Sequence, residues 1–243
     1  MPGVVAMAAT ASGVVYSGAF GMADATNAVP MKLDTIFRIA SMTKAVTSVA
    51  LMQLVEAGKI GLEDHPGEYL PELLEVPVFE TFDSESGEYT LRKAETSMTV
   101  RQLLTHTSGL GYGFLSPILR DFEPREGAVY PAGPLLFDPG TAWYYGRSTH
   151  WLGRLVEAVS GQSLEDYFRE RIFNPPDMPD THFNVPKSEW SRLVTQHRRE
   201  ADGTLSELPR EDPEVVTEFN WWRRPFLDGR RLYEVSADAA QRR

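Results

Sequence analysis

Ser41 and Lys44 stand three residues apart in the stretch Phe37-Arg-Ile-Ala-Ser-Met-Thr-Lys44. A hydroxyl with an amine beside it supplies a nucleophile and a base for its proton. On a helix, residues i and i+3 share a face about one turn apart. The free N–H groups of a first helical turn favour negative charge. They would stabilise an alkoxide on Ser41 or an oxyanion next to it. Burial on an apolar helix disfavours a charged ammonium, and a neutral amine accepts the serine proton. An N-cap serine followed by a solvated lysine has the same appearance. Lys32, Lys59, Lys93 and Lys187 are preceded at i−3 by Val29, Glu56, Thr90 and Asn184, so only Lys44 makes the pair.

The element that must carry the pair is a helix. Apolar residues at Met42, Ala45, Val46, Val49, Ala50 and Leu54 follow the three-to-four-residue spacing of a buried stripe, and Gly58 stops it. Upstream, Gly3–Ala9 and Val14–Phe20 are strand-like runs around the turn Ala11-Ser-Gly13, which predicts a β-hairpin. Residues 23–30 read as a connecting loop. Residues 80–98 are acidic and poor in apolar side chains, which predicts a surface excursion. Thr99-Val-Arg-Gln102 is a capping-box pattern opening a helix through Leu103 and Leu104 that ends at His106-Thr-Ser-Gly109. Residues 111–138 mix glycine, proline and aromatics without period, as a lid or pocket wall does. A second clear helix runs from Ser148 to Ser160, stopped by Gly161, and a third opens at Ser163 and ends near Phe173. Beyond Lys187 the periodicity fades.

The 243 residues suffice for one substantial core or two small ones. The net charge of −10 argues against a nucleic-acid partner, which would want a basic face. With no cysteine, disulfides and thiolate metal sites are excluded. The histidines show no metal-ligand spacing. No apolar run is long enough to span a membrane, and the start lacks a basic signal region, so a cytoplasmic location is the expectation. There is no G-x-S-x-G elbow, which argues against an α/β-hydrolase.

Ser41-Met-Thr-Lys44, His106-Thr-Ser-Gly-Leu110, Pro139-Gly-Thr-Ala-Trp-Tyr-Tyr145 and the helix ending Val159-Ser-Gly161 stand in this order and spacing. Together they resemble the serine β-lactamase and penicillin-binding-protein superfamily, and within it the class C β-lactamase-like group with family VIII carboxylesterases. Phe37–Lys44, Leu54-Val-Glu-Ala-Gly-Lys-Ile and Tyr69-Leu-Pro-Glu72 are similar to those esterases almost word for word, and the likeness covers roughly residues 2–185. The resemblance implies an α+β fold of the β-lactamase/transpeptidase-like kind, an antiparallel sheet flanked by helices plus a mainly helical region. It implies a serine hydrolase that cleaves short acyl esters through an acyl-serine, with β-lactamase or D-Ala-D-Ala peptidase action as the alternative. It assigns Ser41 as nucleophile, Lys44 as its base and Tyr145 as the second proton carrier, with no metal or cofactor. The substrate is a small ester or β-lactam. His106 belongs to a motif that is structural in the resembled family. Arg147 occupies the place of an asparagine that contacts the lactam side chain, which makes Arg147 the candidate substrate-binding residue and a β-lactam the less expected substrate.

The resemblance also implies a third motif, K-T-G or a relative, on a core strand that donates one oxyanion N–H. Nothing after residue 185 offers it. The pattern is lost around Phe226-Leu-Asp-Gly-Arg-Arg-Leu-Tyr, and the chain ends at Gln241-Arg-Arg243. The expectation is one domain over 1–243, cut short or frame-shifted near Gly229. Its parts are a hairpin and nucleophile helix (1–58), a mainly helical region (59–185) and an irregular remnant lacking C-terminal strands (186–243). An inactive relative that only binds is the non-enzymatic alternative.

Overall fold

Gly13, at φ +127°, turns the N-terminal apolar run back on itself. A computed structural model describes residues 2–208 and the backbone of 236–237, so the segment around Gly229 lies outside the described residues. In chain order the elements are β1 (Gly3–Thr10), β2 (Gly13–Asp24), β3 (Val29–Pro30), β4 (Phe37–Arg38), α1 (Thr43–Glu56), β5 (Val78–Phe82), β6 (Tyr89–Arg92), α2 (Val100–Leu104), α3 (Pro117–Asp121), α4 (Ser148–Ser160), α5 (Leu164–Phe168), β7 (His197–Arg199), β8 (Leu205–Glu207) and β9 (Ser236–Ala237). Every named strand pair is antiparallel. Among the described residues no helix is long and apolar enough to cross a membrane.

The chain divides into two compact units. Of the described residues, 2–43, 168–208 and 236–237 belong to the first and 44–167 to the second.

In the first unit β1 pairs with β2 from Gly3↔Gly21 to Thr10↔Gly13, with a bulge at Ala8/Ala9. The predicted hairpin is there, and its second strand runs four residues further than the apolar pattern reached. The stretch read as a loop over 23–30 ends in β3, which pairs back on β2 at Met22↔Pro30. Arg192 ties this unit together. Its guanidinium reaches Asp180 at 2.6 Å and Glu189 at 2.9 Å, and its Nε donates to the Asp34 carbonyl. Of the third predicted helix this unit holds the π-helical turn Arg169–Phe173, which continues α5 of the second unit.

α1, nearly all of it in the second unit, stops where the sequence placed it but opens at Thr43, after a 3-10 turn that carries Ser41. Gly58, at φ +66°, closes it, and the Lys59 N–H returns to the Leu54 carbonyl. Its buried face is the predicted one at Ala50 and Leu54 and departs from it elsewhere. Thr43, Thr47, Ala50, Leu51 and Leu54 are buried, whereas Met42 and Val49 are exposed. The helix is apolar on several sides, so periodicity alone could not choose the buried one. Two threonines take it because a short hydroxyl can satisfy itself locally. Lys44 is half-buried.

The capping box forms as read. The Gln102 N–H donates to Thr99 Oγ1, and the Thr99 N–H donates to Gln102 Oε1. α2 packs on α4, burying Leu103, Leu152, Leu155 and Val156. Gly161, at φ +72°, ends α4. Residues 80–98 are not a mere surface excursion. β5 and β6 pair as a hairpin, and Phe79, Phe82, Tyr89 and Phe122 meet edge to face within 5.0–6.4 Å. Arg92 then grips Asp138 through both carboxylate oxygens, one contact at 2.9 Å. That pairing, led by Arg92 and helped by the Glu95 N–H, holds the Asp138 carboxyl down at about 2.

Candidate active site

Ser41 sits at the end of the first unit. After β4 the chain makes one 3-10 turn, Ala40–Met42, closed by the Met42 N–H on the Ile39 carbonyl at 3.0 Å, and runs directly into α1. Ala40 adopts φ +45°, which costs a residue with a β-carbon some strain. Ser41 is half-buried on this turn. Lys44, the second residue of α1, opens the second unit.

Within the second unit, Lys44 faces two phenol rings. Its Nζ is 4.7 Å from the Tyr145 ring centre and 5.8 Å from that of Tyr112. The two rings meet at 5.7 Å and 55°. Tyr112 also stacks on Phe114 at 4.8 Å and 24°. The His106 ring also packs on Tyr145, at 5.0 Å, with Trp143 against it at 6.3 Å.

Backbone contacts fix this cluster. His106, just past α2, takes φ +57°; its carbonyl accepts the Tyr144 N–H at 2.9 Å, and its Nδ1 accepts a long bond from the Gly146 N–H at 3.4 Å. The Thr107 carbonyl accepts the Gly140 N–H, and the Gly109 carbonyl the Leu136 N–H. Ser108 and Ser148, both fully buried, share a hydroxyl bond of 2.8 Å. The turn from His106 to Gly109 is thus tied to residues 136–148 at each of its positions. Tyr144, the neighbour that could compete with Tyr145 for a role beside Lys44, points its hydroxyl to the Leu115 carbonyl at 2.8 Å.

Of the candidates named from sequence, Lys44 and Tyr145 meet in one cluster. Arg147 lies two residues on and donates from Nη2 to the Ala132 carbonyl at 2.7 Å, which ties it to the 128–136 loop. Ser41 belongs to the first unit. The sequence reading missed Tyr112. Its only signal was its place directly after His106–Gly111 at the mouth of the aperiodic aromatic stretch. Among the described residues no three His, Cys, Asp or Glu side chains converge as a metal set.

The charges here are biased in known directions. Burial, then the Lys44 charge, lowers the His106 pKa. Burial pushes the Tyr112 phenol up to about 12, the neighbouring Tyr145 adds to this, and Arg147 opposes it. On α4, burial followed by Arg147 and Arg154 holds His150 well below the usual histidine range. An unfolded chain takes up the His150 proton near pH ~6.5 and the folded chain does not. Stability is therefore full above about pH 6.5 and falls as the solution is acidified below it, by about 1.4 kcal/mol per pH unit for one fully buried histidine. Urea midpoints should drop between about pH 7.5 and about pH 5.5 in the wild type and drop less in His150→Gln. Equal drops would rule His150 out as the cause.

Three comparisons place these features. The sequence model described as Beta-lactamase matches residues 1–224. Monacolin J acid methylbutanoyltransferase of Aspergillus terreus is 37% identical over 224 residues, covering 84% of this chain and 54% of that protein. Lovastatin esterase of Penicillium rubens is 34% identical over 164 residues, covering 63% of this chain and 41% of the esterase. Among solved structures, unliganded simvastatin synthase (LovD) from Aspergillus terreus superposes with a TM-score of 0.77 at 36% identity, covering 86% of this chain and 57% of that one. The chain therefore spans about half the length of the curated relatives it matches.

Proposed function

This chain belongs to the Beta-lactamase family, and we propose that it is an acyl-transfer enzyme working through an acyl-serine on Ser41. The fold is the β-lactamase-like one, mixed α and β with antiparallel strands. The observation that carries the proposal is Lys44 Nζ 4.7 Å over the Tyr145 ring, since it joins the base of the first motif to the phenol of the second.

Ser41 Oγ attacks the carbonyl carbon of a small acyl ester. Its proton passes to the neutral amine of Lys44, with Tyr145 as the second carrier, and the ammonium so formed is what the ring faces hold. The Ser41 backbone N–H, at the start of a helical path, receives developing negative charge on the carbonyl oxygen. The bond from the carbonyl carbon to the leaving oxygen breaks, and the leaving alcohol takes the proton. Water or a second alcohol then attacks the acyl-serine and gives its proton to the same pair; the bond from the acyl carbon to Ser41 Oγ breaks, that proton returns to Oγ, and acid or new ester leaves. Water as acceptor makes the reaction that of a carboxylesterase on short acyl esters. An alcohol acceptor makes it a transferase; the methylbutanoyltransferase relative supports that outcome and the esterase relative supports water as acceptor. Arg147, held by the Ala132 carbonyl, is the proposed substrate-side contact. In this reading Ser41, Lys44 and Tyr145 belong to one β-lactamase-like domain.

Brief incubation with p-nitrophenyl butyrate, followed by intact-mass measurement and peptide mapping, tests this. A butyryl adduct on Ser41 that decays faster when a small alcohol is added is the expected result. Nitrophenolate release with no adduct on Ser41, or with the acyl group elsewhere, would count against the proposal.

A further inference from the structure

We propose that Tyr112 is a positioning residue whose ring face, together with that of Tyr145, holds the Lys44 ammonium in place. The kinetic side of this rests on the acyl-transfer reading above; the contact itself does not.

Three observations converge on Tyr112. Its ring centre is 5.8 Å from Lys44 Nζ, within the range in which an ammonium is drawn to an aromatic face. It leans on Tyr145 at 5.7 Å, so the two rings form adjoining walls around one cation. It is itself fixed. Phe114 stacks on it at 4.8 Å, and its carbonyl accepts the Leu115 and Ser116 N–H groups at 3.1 and 2.9 Å. Ser116 is buried and caps α3 through the Leu119 N–H. A lysine side chain has four rotatable bonds, and proton transfer needs its tip held to within a fraction of an ångström. Tyr145 bounds that tip on one side, and Tyr112 removes the second direction of escape. The phenol, pushed up to about 12, stays neutral throughout the working pH range and keeps the ring's attraction for a cation.

The experiment pairs Tyr112→Leu with Tyr112→Phe. The leucine keeps an apolar filling and loses the ring, whereas the phenylalanine keeps the ring and loses the hydroxyl. With p-nitrophenyl butyrate, Tyr112→Leu should lower kcat about tenfold with KM within about threefold, and Tyr112→Phe should rescue kcat to within about threefold of wild type. In parallel, lysines are reductively methylated with ¹³C, and the Lys44 signal is assigned by its loss in Lys44→Arg. That signal should be displaced by the rings in wild type and Tyr112→Phe, and should move toward the free-lysine position in Tyr112→Leu. A Lys44 signal that does not move in Tyr112→Leu overturns the contact. A Tyr112→Phe variant as slow as Tyr112→Leu overturns the ring-face role and assigns the work to the hydroxyl. Should Tyr112→Leu fail to fold, Tyr112→Met takes its place in both arms. Loss of the Ser41 reading alone would leave the resonance arm to decide the matter.

Discussion

Replacing Ser41 with alanine should abolish the butyryl adduct and lower ester turnover by about a thousandfold or more, the scale on which a removed nucleophile is felt. The fold should survive. Ser41 is half-buried on a single 3-10 turn, and losing a hydroxyl at a helix start costs about 1 kcal/mol. A urea midpoint near that of wild type, beside a flat progress curve, is therefore the expected pair of results. The two readouts separate chemistry from folding. Turnover in Ser41→Ala equal to wild type would remove Ser41 from the mechanism and leave only a shared ancestry with hydrolases of this family.

Gly146→Ala should have the largest effect on stability. An added Cβ would stand 1.8 Å from the Leu110 carbonyl oxygen and 2.8 Å from Gly111 Cα, where real Cβ atoms essentially never come under 3.0 Å. Both neighbours are backbone, so no rotamer change relieves the clash. Gly146 is buried between Tyr145 and Arg147, and its N–H reaches His106 Nδ1. Moving it pulls both side chains from their seats. The expected loss is about 3 kcal/mol or more in urea unfolding, with Lys44 and Tyr145 no longer in register. An alanine variant with an unchanged midpoint and unchanged activity would show that the 106–111 and 139–147 segments are less tightly joined than described.

Some of this was legible in the residues. α1 and α4 could be read because their apolar residues recur at helical spacing and Gly58 and Gly161 stop them. The Thr99–Gln102 box could be read because four residues suffice to form it. Tyr145 could be singled out only through the family resemblance, by its place after Pro139-Gly-Thr-Ala-Trp143. Other features could not be read. The β5–β6 hairpin hides behind acidic residues that break its alternation, and only the partner Asp138, 46 residues from Arg92, explains its place. The buried face of α1 was partly misread because two threonines behave there as core. Tyr112 and Tyr145 lie 33 positions apart in an aperiodic stretch, so their meeting follows from the turn at His106 and the glycine at 146 rather than from any local pattern.

Ala40 and His106 both hold left-handed backbone angles while carrying side chains, one beside Ser41 and the other beside Tyr145. Glycine would sit in either place without protest, but it would also enlarge the freedom of the unfolded chain and slacken the bend. Drift toward glycine would therefore relieve the backbone at both corners and cost aim, and at position 106 it would also remove the ring that packs on Tyr145 and accepts the Gly146 N–H.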